Sequence, residues 1–294
     1  MTAVGLGDGF VAIDITSDIT RNGIDFQLWF ATYVLGLRSL HYGYWDDPEN
    51  TTLNLDEIRK AQIRYTDCLV SSMPSDVHTV LDVGCGVGCN TRALAAKGYK
   101  VTALSPDAHH KKYFEDFPAD QVSFYASKYE DFSSKRLFDL VLMSESQNYF
   151  DAGIGLEQSL RFLVPSGFLL ICGMFRKRNS DDFSQIRNIE GEYLRKAQQY
   201  GFELMDRTDI TRNVLPTLQL VSMAKNNYLD PALLVARHYG AGASWKMKAA
   251  TLLFRKELRH LREIERYYHG FADPEFFTKH ISYLRLLFRK PQAE

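Results

Sequence analysis

The sequence predicts an α/β chain in which a mostly parallel sheet carries helices on both faces. Three observations carry this prediction. Short apolar runs such as 80–83 and 138–143 recur between stretches of helical spacing. The run from Thr79 to Thr91 passes from strand through glycines into a helix. The apolar run that closes at Met143 gives way to Ser144-Glu145-Ser146-Gln147-Asn148-Tyr149-Phe150, a polar heptad at the edge where ligands of open α/β sheets sit.

Composition narrows the class. At 294 residues and 45% hydrophobic content the chain can bury one large core, or one core plus a cap. Lys plus Arg number 35 against 36 for Asp plus Glu, a formal net charge of -1, so the whole chain has no electrostatic footprint for nucleic acid. Asp8 and Asp14 stand in a start without basic residues, and no apolar run approaches the ~20 residues of a membrane span. A cytoplasmic protein without a transmembrane segment is the expectation. Cys68, Cys85, Cys89 and Cys172 lack secretory spacing and read as thiols. No Cys/His cluster completes a tetrahedral site around Cys85 and Cys89, so no metal is expected.

Residues 1–20 carry no pattern. From Asp25, the residues Phe26, Leu28, Trp29, Phe30, Tyr33, Val34 and Leu37 have helical spacing that ends near Gly36. An aromatic segment follows, His41-Tyr42-Gly43-Tyr44-Trp45-Asp46. Asn54 with Glu57 three residues on forms a capping-box-like start. Ile58, Ala61, Tyr65 and Leu69 then keep one helical face apolar until Pro74, so this helix packs on the sheet ahead of the first strand.

Val80, Leu81 and Val83 suit a strand buried on both faces, and Asp82 interrupts them. Gly84, Gly86 and Gly88 allow positive φ and close approach of backbone to a ligand, with Cys85 between them. Asn90 is placed to cap the helix that Thr91, Arg92, Ala93, Leu94 and Ala95 continue. A dinucleotide fingerprint needs a further glycine where Cys89 stands. An acid at the mouth of the turn suits a cationic ligand better than a pyrophosphate. With this spacing, Val80 to Gly88 resembles motif I of the class I S-adenosylmethionine-dependent methyltransferases. The segment 41–46 resembles the one that precedes the core in small-molecule enzymes of the tocopherol, quinone and cyclopropane fatty-acid type. There it closes over the cofactor, and aromatic faces attract a sulfonium. The resemblance implies that Tyr42, Asp82, Gly84, Cys85, Gly86 and Gly88 hold S-adenosylmethionine.

A second strand runs from Tyr99 to Leu104, and Ser105-Pro106-Asp107 opens another helix. The resemblance implies that the residue at 105 faces the ribose. An acid is usual there, and a serine hydroxyl can still bond a ribose. Asp107 is a first-turn acid favoured by the helix dipole. His109 and His110 are adjacent, point about 100° apart and cannot bind a metal together. Val122 to Tyr125 is the third strand, and Ser127, Lys128 and Tyr129 in the loop behind it are placed beside the adenine by the resemblance. The fourth strand is Phe138 to Met143, with Ser144 at the cofactor side of its end.

Glu145-Ser146 resembles the Glu-Ser pair of sterol, tocopherol and related enzymes, in which a histidine often stands where Tyr149 falls. An unperturbed phenol, with a pKa of about 10, is a poor base but can position a nucleophile or stabilise an anion. Tyr149, Glu145 and Tyr44 are the candidate catalytic residues. Gly155 to Leu163 reads as a helix, Val164 to Gly167 as a turn, Phe168 to Cys172 as the fifth strand, Ser184 to Tyr200 as a helix, and Phe202 to Asp206 as the sixth strand. Arg176, Lys177 and Arg178 form a small basic cluster. Ile281 to Phe288 fits a seventh strand. The residues before it are mainly helical in pattern, with Phe254, Leu258, Leu261 and Tyr268 on one face and Arg255, Lys256, Arg259, Arg262 and Arg266 around the other. Glu257, Glu263 and Glu265 interrupt that basic face, which reads as solvated.

The predicted architecture is therefore a Rossmann-like, seven-stranded, mostly parallel sheet. Residues 1–75 form an N-terminal helical cover, 76–213 and 280–294 the cofactor-binding core, and 214–279 a helical lid inserted before the last strand. The expected activity is methyl transfer from S-adenosylmethionine to a small-molecule acceptor at carbon, nitrogen or oxygen, with no nucleic-acid partner and homo-oligomerisation left open. Two alternatives stand beside it. One is an RNA methyltransferase using the basic helix, and the other a cofactor-binding scaffold without turnover, motivated by Ser105 and the missing histidine.

Overall fold

The structure is a computed structural model that describes residues 36–37, 39, 41–180, 183–224, 226–227, 230–231, 234–235 and 273–292. The helix expected from Asp25, and the apolar and basic faces expected between 254 and 268, lie outside the described residues.

Seven strands form one sheet in the order β3-β2-β1-β4-β5-β7-β6. They are β1 (Thr79–Val83), β2 (Lys100–Ser105), β3 (Val122–Ala126), β4 (Phe138–Ser144), β5 (Leu163–Arg176), β6 (Glu203–Asp209) and β7 (Ile281–Arg289). The pairings β1–β2, β1–β4, β2–β3 and β4–β5 are parallel, while β7 runs antiparallel to both β5 and β6. The described helices are α1 (Leu55–Ser71), α2 (Cys89–Ala96), α3 (Ala152–Phe162), α4 (Glu190–Gln199), α5 (Thr211–Ala224) and α6 (Pro274–His280), with a 3-10 helix over Ala108–Phe114.

Alternation along the strands divides the core in two. Val80, Ala103, Leu140, Leu142 and Leu170 pack with Tyr65 and Leu69 of α1. Leu81, Val83, Val141, Met143, Leu169 and Ile171 pack on the other face with Leu156 and Phe162 of α3 and Tyr193 and Ala197 of α4. A sheet apolar on both faces needs a helical layer on each, which is why the central strands read as unbroken hydrophobic runs. Burial takes the apolar side chains of α1 and α3 out of water at roughly 25 cal/mol per Å² of apolar surface.

Several local expectations change. The N-cap of α2 is Gly88, at φ 85°, and not Asn90. Asn90 instead accepts a hydrogen bond from the Thr66 hydroxyl at 3.2 Å, since its side chain is buried against α1. The predicted turn at 164–167 is a bulge within a longer β5. Pairing with β4 jumps from Phe138↔Leu163 to Leu140↔Phe168, and Ser166 sits at φ 61°. The helix predicted from Ser184 begins only at Glu190. Asp107 caps the 3-10 helix, its side chain accepting from the His109 N–H. Asn54 accepts from the Glu57 N–H and caps α1 as the spacing predicts.

The aromatic segment 41–45 is fastened to helices on two sides. The Tyr44 N–H donates to the Ala61 carbonyl of α1 at 2.8 Å, and the Trp45 N–H to the Asn213 carbonyl of α5 at 2.9 Å. The Thr217 hydroxyl of α5 accepts from both the Gly43 N–H and Trp45 Nε1, each at 3.1 Å. The segment is thereby pinned across the sheet edge above β4.

Candidate active site

The site is built where β1, β4 and the segment 41–45 converge. At the end of β1 the chain turns sharply, with Gly84 and Cys85 both donating N–H to the Leu104 carbonyl, at 2.8 Å and 3.0 Å. Gly84 lies at φ 76°, and a Cβ there would meet the Ser146 Cβ at 2.5 Å, so the turn and the β4 end touch through a missing side chain. Gly86 differs. A Cβ there would find no atom within 4 Å, so the backbone of the turn is bare toward open space at this point.

Asp82 is 1% exposed and Oδ2 accepts the Thr91 hydroxyl at 2.7 Å. Burial pushes its carboxyl up to about 6, and the Thr91 bond opposes that rise. At neutral pH the site holds one buried carboxylate beside the glycines.

The second carboxyl is Glu145, a non-glycine residue at φ 60°, immediately after β4. Such a backbone is strained for a side-chain-bearing residue, and its N–H is held by the Cys172 carbonyl at 2.7 Å. Oε1 accepts the Tyr42 N–H at 3.1 Å and also the Tyr283 phenol from β7. The Tyr65 hydroxyl lies 3.3 Å from that of Tyr283 and 3.1 Å from the Ser144 hydroxyl. Burial raises Glu145 to about 7, against the lowering effect of the Tyr283 and Tyr42 bonds. Burial also drives the Tyr65 and Tyr283 phenols well above the usual tyrosine value, so both remain neutral donors.

His41 stacks on Tyr65 with ring centroids 4.3 Å apart. Nδ1 donates to the Tyr42 carbonyl at 2.8 Å, which fixes the tautomer and leaves Nε2 unprotonated, 3.3 Å from the Thr66 hydroxyl. Burial lowers its pKa to about 4, opposed by the bond to the Tyr42 carbonyl, so the ring is neutral at pH 7.

Tyr42 bonds Glu145, the Ser144 hydroxyl lies beside that of Tyr65, and Gly84 lies against Ser146, while other residues singled out in the sequence lie elsewhere. Tyr129 is a core residue, 3% exposed, packed on Phe150 and Phe162 with its hydroxyl 3.1 Å from that of Ser159. It follows β3 on the face that α3 covers, which is why its ring packs into that core layer. Tyr44 lines a small cavity with Tyr65, Cys172, Cys68, Leu69, Ile210 and Arg285, which reaches two of the residues beside Glu145. Tyr149 is 81% exposed. The Ser105 hydroxyl is buried and engaged by His110 Nδ1 at 2.9 Å and the Asp107 N–H at 3.2 Å. Ser127 donates to the Lys128 carbonyl in the loop after β3. Cys85 is 8% exposed, and burial raises its thiol well above the ordinary value. Gly88 starts α2 against Phe114, whose ring a Cβ would meet at 3.0 Å.

Sequence reasoning missed Tyr65 and Tyr283, which it read as packing residues of a helix and a strand. A hydroxyl at such a position is the one signal that marks them, because a buried tyrosine needs a partner for it. Among the described residues no group of three or more His, Cys, Asp and Glu is placed to hold a metal ion, and no helix is long and apolar enough to cross a membrane.

The strand order, with its antiparallel seventh strand, defines a fold that known proteins share. Residues 81–171 match the methyltransferase domain family. The chain is 28% identical to methyltransferase GfsG of Streptomyces halstedii over 205 residues, covering 61% of this chain and 71% of that protein. It is 26% identical to O-methyltransferase cnsE of Penicillium expansum over 203 residues, covering 62% and 71%. The solved geranyl diphosphate C-methyltransferase from Streptomyces coelicolor A3(2), in complex with Mg2+, geranyl-S-thiolodiphosphate and S-adenosyl-L-homocysteine, shares the fold. It aligns with a TM-score of 0.63 and 18% identity over 95% of this chain and 99% of that one. Residues 81–171 carry a methyltransferase domain, and with these relatives the chain is an S-adenosylmethionine-dependent methyltransferase. Its turn suits that cofactor, with Gly86 open to an approaching ligand and the buried Asp82 carboxylate offering negative charge to a cation.

Proposed function

We propose that this enzyme methylates a small organic acceptor bound between the β4 end and the aromatic segment 41–45. The observation that carries the reading is Glu145. It is a partly buried carboxyl at the carboxyl edge of β4, held by Tyr42 of the covering segment and by Tyr283. A macromolecular acceptor would call for an open, basic approach, whereas this carboxyl is roofed by a pinned aromatic strap.

In this reading the backbone of Gly84, Gly86 and Gly88 cradles the cofactor, Asp82 supplies negative charge, and Tyr42 closes over it. Ser144 lies at the junction, and Ser105, Ser127 and Lys128 border the nucleoside. When bound, S-adenosylmethionine supplies an electrophilic methyl on sulfur. The chain's own task is to align the acceptor, exclude water and hold a proton. Alignment and desolvation can provide much of the acceleration without a strong base. Glu145, with its pKa near 7, can hold or release a proton at working pH. Tyr44 and Tyr149 take supporting places at the rim, and the chain divides into cover 1–75, core 76–213 with 280–294, and a substrate-shaping insert 214–279.

The test is calorimetric titration with S-adenosylhomocysteine, followed by turnover of methyl-labelled cofactor with a panel of small hydroxyl-, amine- and enol-bearing acceptors. Micromolar binding and label transfer to a member of the panel are expected. No binding to wild type, together with no transfer, ends the proposal.

A further inference from the structure

Glu145 has two carboxyl oxygens in different circumstances. Oε1 takes both of the bonds made to the group, from the Tyr42 N–H and the Tyr283 phenol. Oε2 takes none among the described residues, and it is not among the buried polar atoms left without a partner. A carboxylate with one oxygen fixed from two directions cannot rotate freely about its last torsion, so the second oxygen has a defined direction.

The anchoring phenol is itself placed. Tyr283 is 0% exposed, and its backbone N–H donates to the Thr211 hydroxyl at 2.8 Å. Its ring meets Tyr42 edge-on at 5.5 Å and Tyr65 edge-on at 6.3 Å. A carboxylate can only accept, so the Tyr283 hydroxyl donates to Glu145, and its oxygen lies 3.3 Å from that of Tyr65. Three elements meet at this point: α1 through Tyr65, β7 through Tyr283 and the covering strap through Tyr42.

Resting on the reading of Glu145 as the residue facing the acceptor, we propose that Tyr283 is a positioning residue. It pins Oε1 so that Oε2 is the oxygen presented to the hydrogen of the acceptor's nucleophilic group, which makes a protonated hydroxyl or amine the fitting acceptor chemistry. A carboxylate or phosphate at that place would face a like charge with no hydrogen to give.

The groups around the carboxyl make the consequence measurable. Tyr283, Tyr65 and Cys172 face it from β7, α1 and β5, and the Tyr42 N–H from the strap. Among the described residues no basic side chain contributes to its ionisation. The Tyr283 bond is therefore a principal force favouring the charged form.

The experiment is a carbon-13 titration of the full-length protein labelled at glutamate carboxyls, with the Glu145 resonance assigned by its loss in Glu145→Gln. In Tyr283→Phe the Glu145 midpoint should move to higher pH by about 1, while S-adenosylhomocysteine affinity stays within about threefold of wild type. Should Tyr283→Phe fail to fold, 3-fluorotyrosine placed at 283 provides a stronger donor and should move the midpoint to lower pH. A midpoint unchanged in the folded variant overturns the proposal, as does a wild-type Glu145 that titrates in the ordinary carboxylate range. Absence of S-adenosylhomocysteine binding to wild type would strike the proposed function instead and leave the titration to judge Tyr283 alone.

Discussion

The Thr91 hydroxyl donates to Oδ2 of Asp82 at 2.7 Å, tying the first turn of α2 back to the strand that feeds it. The bond links the two halves of the glycine turn, so the acid is both a charge at the site and a brace for the loop. Replacing Asp82 by Asn keeps an acceptor for Thr91 and removes only the charge. S-adenosylhomocysteine affinity should fall by about tenfold or more, the loss of one charge-assisted contact. The pH sign follows from the raised carboxyl. Wild-type stability from this group is full below about 3.8 and is lost as pH rises through about 6. Asp82→Asn should therefore melt no lower than wild type above pH 6, by calorimetry, even as binding weakens.

Gly84 and Gly86 should separate stability from binding. Gly84→Ala forces a Cβ to 2.5 Å from the Ser146 Cβ at positive φ and should cost about 3 kcal/mol in denaturant unfolding. Gly86→Ala meets no protein atom within 4 Å, so its cost is the left-handed backbone alone, about 1 kcal/mol. If the bare face of Gly86 is where the cofactor lies, Gly86→Ala should nonetheless lose S-adenosylhomocysteine affinity by about tenfold. Retained affinity would place the cofactor elsewhere.

Glu145→Gln should change the pH dependence of stability. The folded-state carboxyl lies at about 7 against an ordinary 4.5, so its stabilising share is full below about 4.5 and declines as pH rises to about 7. The glutamine variant lacks that decline and should gain about 2 kcal/mol on wild type at pH 8. Methyl transfer should fall in the same variant if the carboxyl holds the acceptor's proton. Parallel melting curves from pH 4 to pH 8 would contradict a Glu145 carboxyl that titrates near pH 7.

Thr217→Val tests the strap. The single hydroxyl serves the Gly43 N–H and Trp45 Nε1, and its loss strands both buried donors. A cost of about 2–4 kcal/mol is expected, at roughly 1–2 kcal/mol for each donor. Hydrogen exchange at Gly43 should accelerate, while exchange in β1 and β4 stays slow. Uniform acceleration across the sheet would mean that the strap is part of the core and not a separable cover.

The sequence by itself determined the sheet, the turn and the class of cofactor. Val80, Leu81 and Val83 and the run Leu140 to Met143 are apolar because both faces are covered, and the glycines at 84, 86 and 88 are there because the backbone must turn left-handed. These constraints are local, so they are written in consecutive residues. The tertiary structure alone decided which side chains meet. Tyr129 and Tyr149 both read as candidate site residues in the sequence, yet one is in the core and the other at the surface. Tyr283 reached the site from 138 residues away in the chain to hold Glu145. A hydrogen bond between distant strands depends on the strand order and register that set them side by side. Neither leaves a periodic mark on the residues it joins.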